Sequence, residues 1–223
     1  MDISDFYNSH THSSGLNTVL NVDVNDVMSL NRFDGIQLIS LGVHPWYHND
    51  IIISEIETSL NYIKKRSDIK LVAFGEVGLD RIRGGDLSRQ VTNFEILLKF
   101  SKKLNLPLVF HSVRCAEDIL RITNLLEITK PCLFHDFNGS MQLIQRIQDM
   151  GHFIGIGKSI FRSESNIFKN IDKIRLNQIL FETDDNNFSI ESVYKEYSML
   201  TGLDTDLVKD QVRTNFVNFF ELE

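Results

Sequence analysis

Two histidines near the start of the chain, His10 and His12, are separated by a single residue. They follow a short run of strand-forming residues, and side chains two apart in a strand point to the same side. We therefore expect both imidazoles to project from one strand end toward a common point. Two imidazoles held in this way form half of a site for a divalent ion such as zinc, manganese or iron.

The elements that would position further ligands are short strands that alternate with helices. The predicted strands are residues 3–9, 18–22, 36–43, 71–75, 106–110, 132–134, 153–156 and 178–181. Apolar residues at helical spacing predict the helices 50–65, 88–104, 117–127, 141–150, 190–200 and 204–220. Too few residues separate strands one and two for a full helix, so the first βα unit is shortened. Residues 23–30, after strand two, are predicted to form a helical turn or two.

Such alternation is typical of parallel strands that are covered by helices. It predicts an α/β protein with a (β/α)8 TIM barrel, formed by a single domain over residues 1–223. An open doubly wound sheet is the alternative fold. The Gly-x-Gly-x-x-Gly turn that marks that fold is absent from the sequence.

Potential metal ligands follow four of the later strands at their carboxyl ends. These residues are Glu76, His111, His135 and Asp184. The carboxyl ends of strands meet at one face of a barrel, which is where active sites of this fold lie. We therefore expect these side chains to join the two N-terminal histidines. Four histidines and two carboxylates form a mixed nitrogen and oxygen site, which is enough for two divalent ions.

The composition argues against several classes of protein. No apolar run approaches the ~18 residues that a membrane span needs. The net charge of −7 argues against non-specific binding to a long nucleic-acid duplex, but not against a nuclease whose metal ions supply local positive charge. The first residues lack the basic segment of a signal peptide, and Cys115 and Cys132 form no Cys-x-x-Cys pair. We expect a cytoplasmic protein whose cysteines have neither a disulfide nor a metal role.

Six segments together resemble a known family. They are Asn-Ser-His-Thr-His at 8–12, Gly-Val-His-Pro at 42–45, Gly-Glu-Val-Gly-Leu-Asp at 75–80, Pro-Leu-Val-Phe-His-Ser at 107–112, Phe-His-Asp-Phe-Asn-Gly-Ser at 134–140 and Leu-Phe-Glu-Thr-Asp at 180–184. In this order they resemble the TatD family of metal-dependent hydrolases, within the amidohydrolase-like barrels. The Gly-Glu-x-Gly-Leu-Asp and Glu-Thr-Asp segments are the most specific of the six.

The resemblance implies two divalent ions (zinc, magnesium, manganese or similar) and a role for each ligand. It divides the ligands into His10, His12 and Asp184 on one ion, His111 and His135 on a second, and Glu76 as the bridge. Two close ions lower the pKa of a shared water, and Asp184 would accept its proton. The implied activity is hydrolysis of a DNA phosphodiester, with a nucleic-acid end or a small phosphoester as substrate and no membrane or obligate protein partner.

Two other functions stay open. One is hydrolysis of an amide, a lactone or another carboxylic ester, since the same activated water attacks a carbonyl carbon. The other is a barrel that binds metal without catalysis. The sequence also departs from the family pattern on the substrate side: the family usually has Asp at the positions of Asn8 and Ser14, an aromatic pair beginning at Arg81, and Ala-Pro-aromatic from Asp185.

Further residues have a functional and a structural interpretation each. His44 either approaches the substrate or belongs to a turn before Pro45. Arg114 either binds a phosphate or carboxylate of the substrate or pairs with Glu117 or Asp118.

Aromatic and charged residues near the predicted site also have a structural interpretation. Trp46 and Tyr47 could stack on a base, but packing is the favoured interpretation. Lys158 is expected to face solvent, and Asp80 is expected to anchor a loop.

Overall fold

The computed structural model describes residues 5–47 and 51–222. Its strands are β1 (Asn8–Thr11), β2 (Thr18–Asp23), β3 (Gln37–Gly42), β4 (Ile69–Asp80), β5 (Leu108–Val113), β6 (Cys132–Phe134), β7 (Phe153–Ile156) and β8 (Ile179–Phe181). Its α-helices are α1 (Ile53–Ile63), α2 (Leu87–Ser101), α3 (Ala116–Leu125), α4 (Met141–Asp149), α5 (Asn166–Asn170), α6 (Ile190–Thr201) and α7 (Thr205–Phe219). None of the helices in these ranges is both long and apolar enough to cross a membrane.

The predicted elements agree with the structure except at β1, β4 and β5. The fifth strand is predicted at residues 106–110 but runs from Leu108 to Val113, so His111 lies within it. The short helix α5 is not predicted from the sequence.

The first strand was predicted at residues 3–9, of which 3 and 4 lie outside the described residues, but β1 runs from Asn8 to Thr11. The prediction followed the aromatic residues, whereas Phe6 and Tyr7 instead pack against the rings of Tyr194 and Phe216. The start of the predicted helix 50–65, at residue 50, also lies outside the described residues.

The fourth strand is much longer than the predicted segment 71–75, because β4 continues to Asp80. Its polar residues Glu76 and Asp80 are buried within the strand and obscure its hydrophobic pattern. Gly78 allows the close approach to β5, since a Cβ atom at this position would overlap the backbone carbonyl of His111. The extension therefore brings both carboxylates beside β5.

The chain divides into two compact units, which we call unit 1 (Met1–Val19 with Pro131–Glu223) and unit 2 (Leu20–Lys130). A single domain over residues 1–223 stays a prediction. In unit 2, β4 pairs in parallel with both β3 and β5. Helix α2 packs against β4, and its Phe94 contacts Phe110 of β5 with ring centroids 5.6 Å apart.

In unit 1, β7 pairs in parallel with both β6 and β8, and β1 lies beside β8 through a bridge between Thr11 and Asp184. Helices α6 and α7 pack against β8. The ring of Phe181 lies 4.6 Å from that of Tyr194, which is buried among the helices and strands of this unit. Each unit thus has its own apolar core beneath the carboxyl ends of its strands.

Candidate functional site

In unit 2, three side chains bring metal-ligand atoms together, and we call them the Glu76 cluster: His44, Glu76 and His111. Glu76 Oε1 lies 2.6 Å from His111 Nδ1 and 3.4 Å from His44 Nε2, and the two histidine nitrogens are 3.2 Å apart. Strands β4 and β5 carry Glu76 and His111, and His44 follows β3 in a turn. Two imidazoles and one carboxylate therefore converge on a common point within one unit.

The orientation of Glu76 is set by Asn21 on β2. Asn21 Nδ2 donates to Glu76 Oε2 at 3.2 Å, and Asn21 Oδ1 accepts from the backbone N–H of Glu76 at 3.0 Å. Ser40 in turn donates to Asn21 Oδ1 at 3.2 Å. The amide therefore holds one carboxylate oxygen and leaves the other toward the histidines. The sequence gives no signal for this role, because an asparagine in a strand has many possible partners.

The far side of the His111 ring faces Asp80, which is buried at the end of β4. His111 Nε2 lies 3.2 Å from Asp80 Oδ2, and Trp46 Nε1 donates to the same oxygen at 2.7 Å. Burial opposes ionisation of Asp80, but hydrogen bonds from Trp46, from the N–H groups of Arg83 and Ile82 and from His111 lower its pKa. Asp80 therefore anchors the following loop, as we expected, and also orients His111, which we did not expect.

In unit 1, four side chains form what we call the Asp184 cluster: His10, His12, His135 and Asp184. The ligand atoms of three of them (His10, His135 and Asp184) lie within 4.8 Å of one another. Asp184 Oδ1 is 3.4 Å from His12 Nε2 and 3.7 Å from His10 Nε2. His10 is fully buried in β1, whereas the side chain of His12 lies beyond the strand end and is 48% exposed.

The orientation of His135 is set by Glu182, a fully buried carboxylate directly after β8. Glu182 Oε1 lies 3.2 Å from His135 Nδ1 and accepts from the backbone N–H of Asp136 at 2.8 Å. Burial raises the pKa of Glu182, and the hydrogen bond to His135 opposes that shift. A carboxylate behind a metal-binding histidine fixes its ring and tautomer. Sequence reasoning missed this role, although Glu182 stands in the quoted Glu-Thr-Asp segment.

Lys158 lies at the edge of the Asp184 cluster, directly after β7, and does not point simply to solvent as predicted. Its ammonium lies 2.8 Å from Asp136 Oδ2 and 3.7 Å from Asp184 Oδ2, and its side chain is 33% exposed. Burial lowers the pKa of Lys158, but the charges of Asp136, Asp184 and Asp185 outweigh it and raise the pKa above its usual value. A fixed positive charge therefore stands beside the cluster.

Both clusters fit a divalent metal ion by the chemistry of their donors. Imidazole nitrogens and carboxylate oxygens at these separations suit zinc, manganese or iron. The structure places the six predicted ligands in two groups: Glu76 and His111 in unit 2, and the other four in unit 1. The pairing of His111 with His135 on one ion, and the bridging role of Glu76, stay predictions.

Two arginines near the strand ends differ in their contacts. Arg114 is exposed, and its backbone carbonyl accepts from Arg81 Nε at 3.0 Å. The Arg81 guanidinium, not that of Arg114, pairs with Asp118. Arg81, at a position where the family has an aromatic residue, therefore links the ends of β4 and β5 to α3. Substrate binding by Arg114 stays a prediction.

Two further residues on the substrate side have structural contacts. Asn8 joins β1 to the end of β8, because its side chain donates to Thr183 Oγ1 at 2.8 Å and accepts from the Thr183 N–H at 3.2 Å. Trp46 is 40% exposed, with its indole N–H on Asp80 and its ring against His44. Both residues support strand ends that carry proposed ligands.

The sequence matches the family described as TatD related DNase over residues 9–221. The chain belongs to the TatD family. Relatives include an uncharacterized metal-dependent hydrolase, YjjV, of Escherichia coli, which is 30% identical over 151 residues, 65% of this chain and 56% of its own length. A deoxyribonuclease Tat-D of Schizosaccharomyces pombe is 33% identical over 54% of this chain and 40% of its own length.

Solved structures support the same family fold. The crystal structure of the E. coli TatD homologue YjjV matches 92% of this chain and 86% of its own, with a TM-score of 0.78 and 22% identity. An uncharacterized amidohydrolase of Saccharomyces cerevisiae matches 91% of this chain and 88% of its own, with a TM-score of 0.66 and 16% identity. These likenesses confirm the predicted α/β fold of the (β/α)8 barrel class. The first curated sequence relatives are matched over little more than half of their own length.

Proposed function

We propose that this TatD-family chain is a divalent-metal-dependent hydrolase that cleaves a phosphodiester bond at a nucleic-acid end or in a small phosphoester. The observation that carries the proposal is that each unit brings together three metal-type donors on its strands or just after them. The fold class supports it, because active sites of (β/α)8 enzymes lie at the carboxyl ends of the strands. The relative named as a deoxyribonuclease supports the choice of a phosphodiester.

The side chains divide the work between binding and proton transfer. We propose that Glu76, His44 and His111 hold one ion and that His10, His12, His135 and Asp184 hold another, a division that differs from the predicted pairing of His111 with His135 across a bridging Glu76. When bound, such ions would polarise an ester oxygen and lower the pKa of an attacking water. Asp184 would accept the proton of that water, because it is the carboxylate of its cluster and its side chain is partly exposed. Asn21, Asp80 and Glu182 keep the ligands in place.

The net charge of the chain limits which forms of nucleic acid can be substrates. The chain has 30 acidic and 23 basic side chains, and this excess of negative charge disfavours binding along a long phosphate backbone, so intact duplex DNA is a poor ligand. We propose a single-stranded or frayed end, of which the site needs to bind only the phosphates near the scissile bond. A cytoplasmic location is also proposed, because neither Cys115 nor Cys132 forms a disulfide within the described residues.

The test is hydrolysis by manganese-loaded protein of single-stranded DNA, of duplex DNA and of bis(4-nitrophenyl) phosphate, beside a panel of amides and lactones. We expect the single strand and the small diester to be cleaved, and a chelator to abolish both reactions. Hydrolysis that is indifferent to chelation and to added metal would contradict the proposal. Inert DNA together with turnover of an amide or a lactone would favour the alternative hydrolase.

A further inference from the structure

The only lysine that the structure places at the strand ends beside the Asp184 cluster, among the described residues, is Lys158. It opens a short 3-10 helix (Lys158–Phe161) that is separated from β7 by the single residue Gly157. Its side chain is only one-third exposed, although lysines are among the most exposed residues of proteins. The partial burial of the Lys158 side chain therefore requires a structural or a functional explanation.

The contacts of Lys158 show how its charge is directed. Its ammonium makes a hydrogen-bonded ion pair with Asp136 Oδ2 at 2.8 Å and lies 3.7 Å from Asp184 Oδ2, which is too long for a hydrogen bond. Asp184 presents its other oxygen, Oδ1, to the histidines. An ammonium has three N–H donors, so the ion pair with Asp136 leaves donors for a further acceptor.

The two aspartates around Lys158 are held in an uncommon backbone conformation. Asp136 has φ +38° and Asp184 has φ +52°, which few residues other than glycine adopt. The backbone N–H of Asp136 donates to Glu182 Oε1, the oxygen that also orients His135. One buried carboxylate therefore positions both a proposed metal ligand and the partner of Lys158. Such conformations cluster at functional sites.

The charges of this corner favour an anionic ligand. A divalent ion on the Asp184 cluster would meet one carboxylate and three imidazoles, which leaves a net positive charge. Lys158 stands beside the same carboxylate. Its ion pair with Asp136 offsets its charge, but its remaining N–H donors can still bind an anionic oxygen. We propose that Lys158 binds an anionic oxygen of the substrate beside the Asp184 cluster, and so selects esters that carry a negative charge next to the scissile bond. This inference rests on the proposed function and deepens it by assigning a specificity residue.

A purely structural role for the Lys158–Asp136 pair predicts something different. Loss of that pair would lower stability and affect every substrate alike. An anion-binding role affects anionic ligands only, and it is recovered by arginine, which is also a cation that donates hydrogen bonds. Comparison of an anionic with a neutral ligand therefore separates the two roles.

The experiment compares Lys158→Gln, Lys158→Arg and the control Lys169→Gln, all loaded with manganese and checked for equal metal content and melting temperature. Lys169 is a suitable control because its ammonium contacts only the backbone carbonyl of Glu164, away from the cluster. Calorimetry measures the affinity for inorganic phosphate. Steady-state kinetics measure KM and kcat for bis(4-nitrophenyl) phosphate, an anionic diester, and for 4-nitrophenyl acetate, a neutral ester. Lys158→Met serves in place of the glutamine variant if that protein does not fold.

We expect Lys158→Gln to weaken phosphate binding about tenfold and to raise KM for the diester by a similar factor, with a smaller effect on kcat. Its kinetics with the neutral ester stay within about twofold of wild type, and Lys158→Arg and Lys169→Gln stay close to wild type. Unchanged phosphate affinity in Lys158→Gln and Lys158→Met would overturn the inference, even with active enzyme. If the wild type cleaves neither ester but binds phosphate, and Lys158→Gln loses that binding, the inference is supported and the proposed activity is removed.

Discussion

The Glu76 cluster and the Asp184 cluster use similar ligands but differ in how tightly those ligands are held. In the Glu76 cluster the three donor atoms lie 2.6–3.4 Å apart, and Asn21 and Asp80 fix two of the side chains from behind. In the Asp184 cluster the carboxylate lies 3.4 Å from His12 and 3.7 Å from His10, and His12 is half exposed. Donor atoms that lie close together and are held by hydrogen bonds from behind form a preorganised metal site. Donor atoms that lie farther apart leave room for a substrate or a water.

We infer from this difference that one cluster binds its metal ion firmly and that the other takes part in the reaction. A rigid site made of two histidines and a carboxylate favours a resident ion with high affinity. A looser site whose carboxylate also faces Lys158 suits exchange of water, substrate and proton. We therefore propose that the Glu76 cluster holds the more permanent ion and that the proton transfer belongs to the Asp184 cluster.

The largest effect is expected for Asp184→Asn. The amide can still coordinate through its oxygen but cannot accept a proton at neutral pH, so turnover should fall ~10²–10⁴-fold while most of the bound metal is kept. Turnover at saturating manganese and metal content are measured side by side, with Asp185→Asn as the control at the adjacent carboxylate. An Asp184→Asn enzyme with near wild-type turnover would remove Asp184 from the mechanism.

A smaller effect is expected for the carboxylates that lie behind the histidines. Asp80→Asn should weaken metal binding to the Glu76 cluster, and Glu182→Gln should weaken it at the Asp184 cluster, each by about 10–100-fold. Calorimetric titration with manganese measures the metal affinity of both variants. Glu95→Gln, an exposed carboxylate on α2, is the control. If neither variant alters metal affinity, these carboxylates only stabilise the fold and the contrast in rigidity has no functional meaning.

The smallest effect concerns pH and separates the two units again. Burial lowers the pKa of His152 in unit 1, so protonation favours the unfolded chain. The stability that neutral His152 contributes is complete above about pH 6.5 and falls as the pH drops toward its folded-state pKa. In unit 2, Arg66 holds the pKa of Asp68 far below its usual range, so that contribution is lost only below about pH 4.

Hydrogen exchange of α4 and α1 at pH 7.5 and 5.5 measures this difference. We expect α4, which precedes His152, to lose protection at the lower pH, and α1 in unit 2 to change little. His152→Leu removes the titrating group and should abolish the pH dependence in α4. The same loss of protection in that variant would assign the effect to another residue of unit 1.

Much of the fold could be predicted because most strands are apolar runs with clear ends. The structure reproduces the predicted bounds of β6 and β7, since each is a short run bounded by Pro131 or by Gly151 and a turn. The sequence failed where the strands themselves carry buried polar residues. β1 is built from Asn, Ser, His and Thr, and all four of its residues are buried, so neither hydrophobicity nor periodicity marks it.

The proposed ligands could be predicted because they match family segments, although His10, Glu76 and His111 lie within strands rather than after them. Their supports could not, because each contact joins residues far apart in the chain. Glu182 and His135 are 47 residues apart, and Asn21 and Glu76 are 55 apart. Lys158 was assigned to solvent because nothing in the local sequence indicates that Asp136 and Asp184 lie beside it. Second partners of this kind depend on tertiary structure rather than on spacing.

The most direct test of the division into two clusters is a manganese titration of metal-stripped protein by calorimetry. We expect two ions per chain for wild type, the tighter of them on the Glu76 cluster, and Glu76→Gln to lose at least that tighter ion together with activity. Glu95→Gln should bind as wild type does. A wild-type protein that binds no manganese at saturation, or a Glu76→Gln variant that still binds two ions with unchanged affinity, would contradict the assignment.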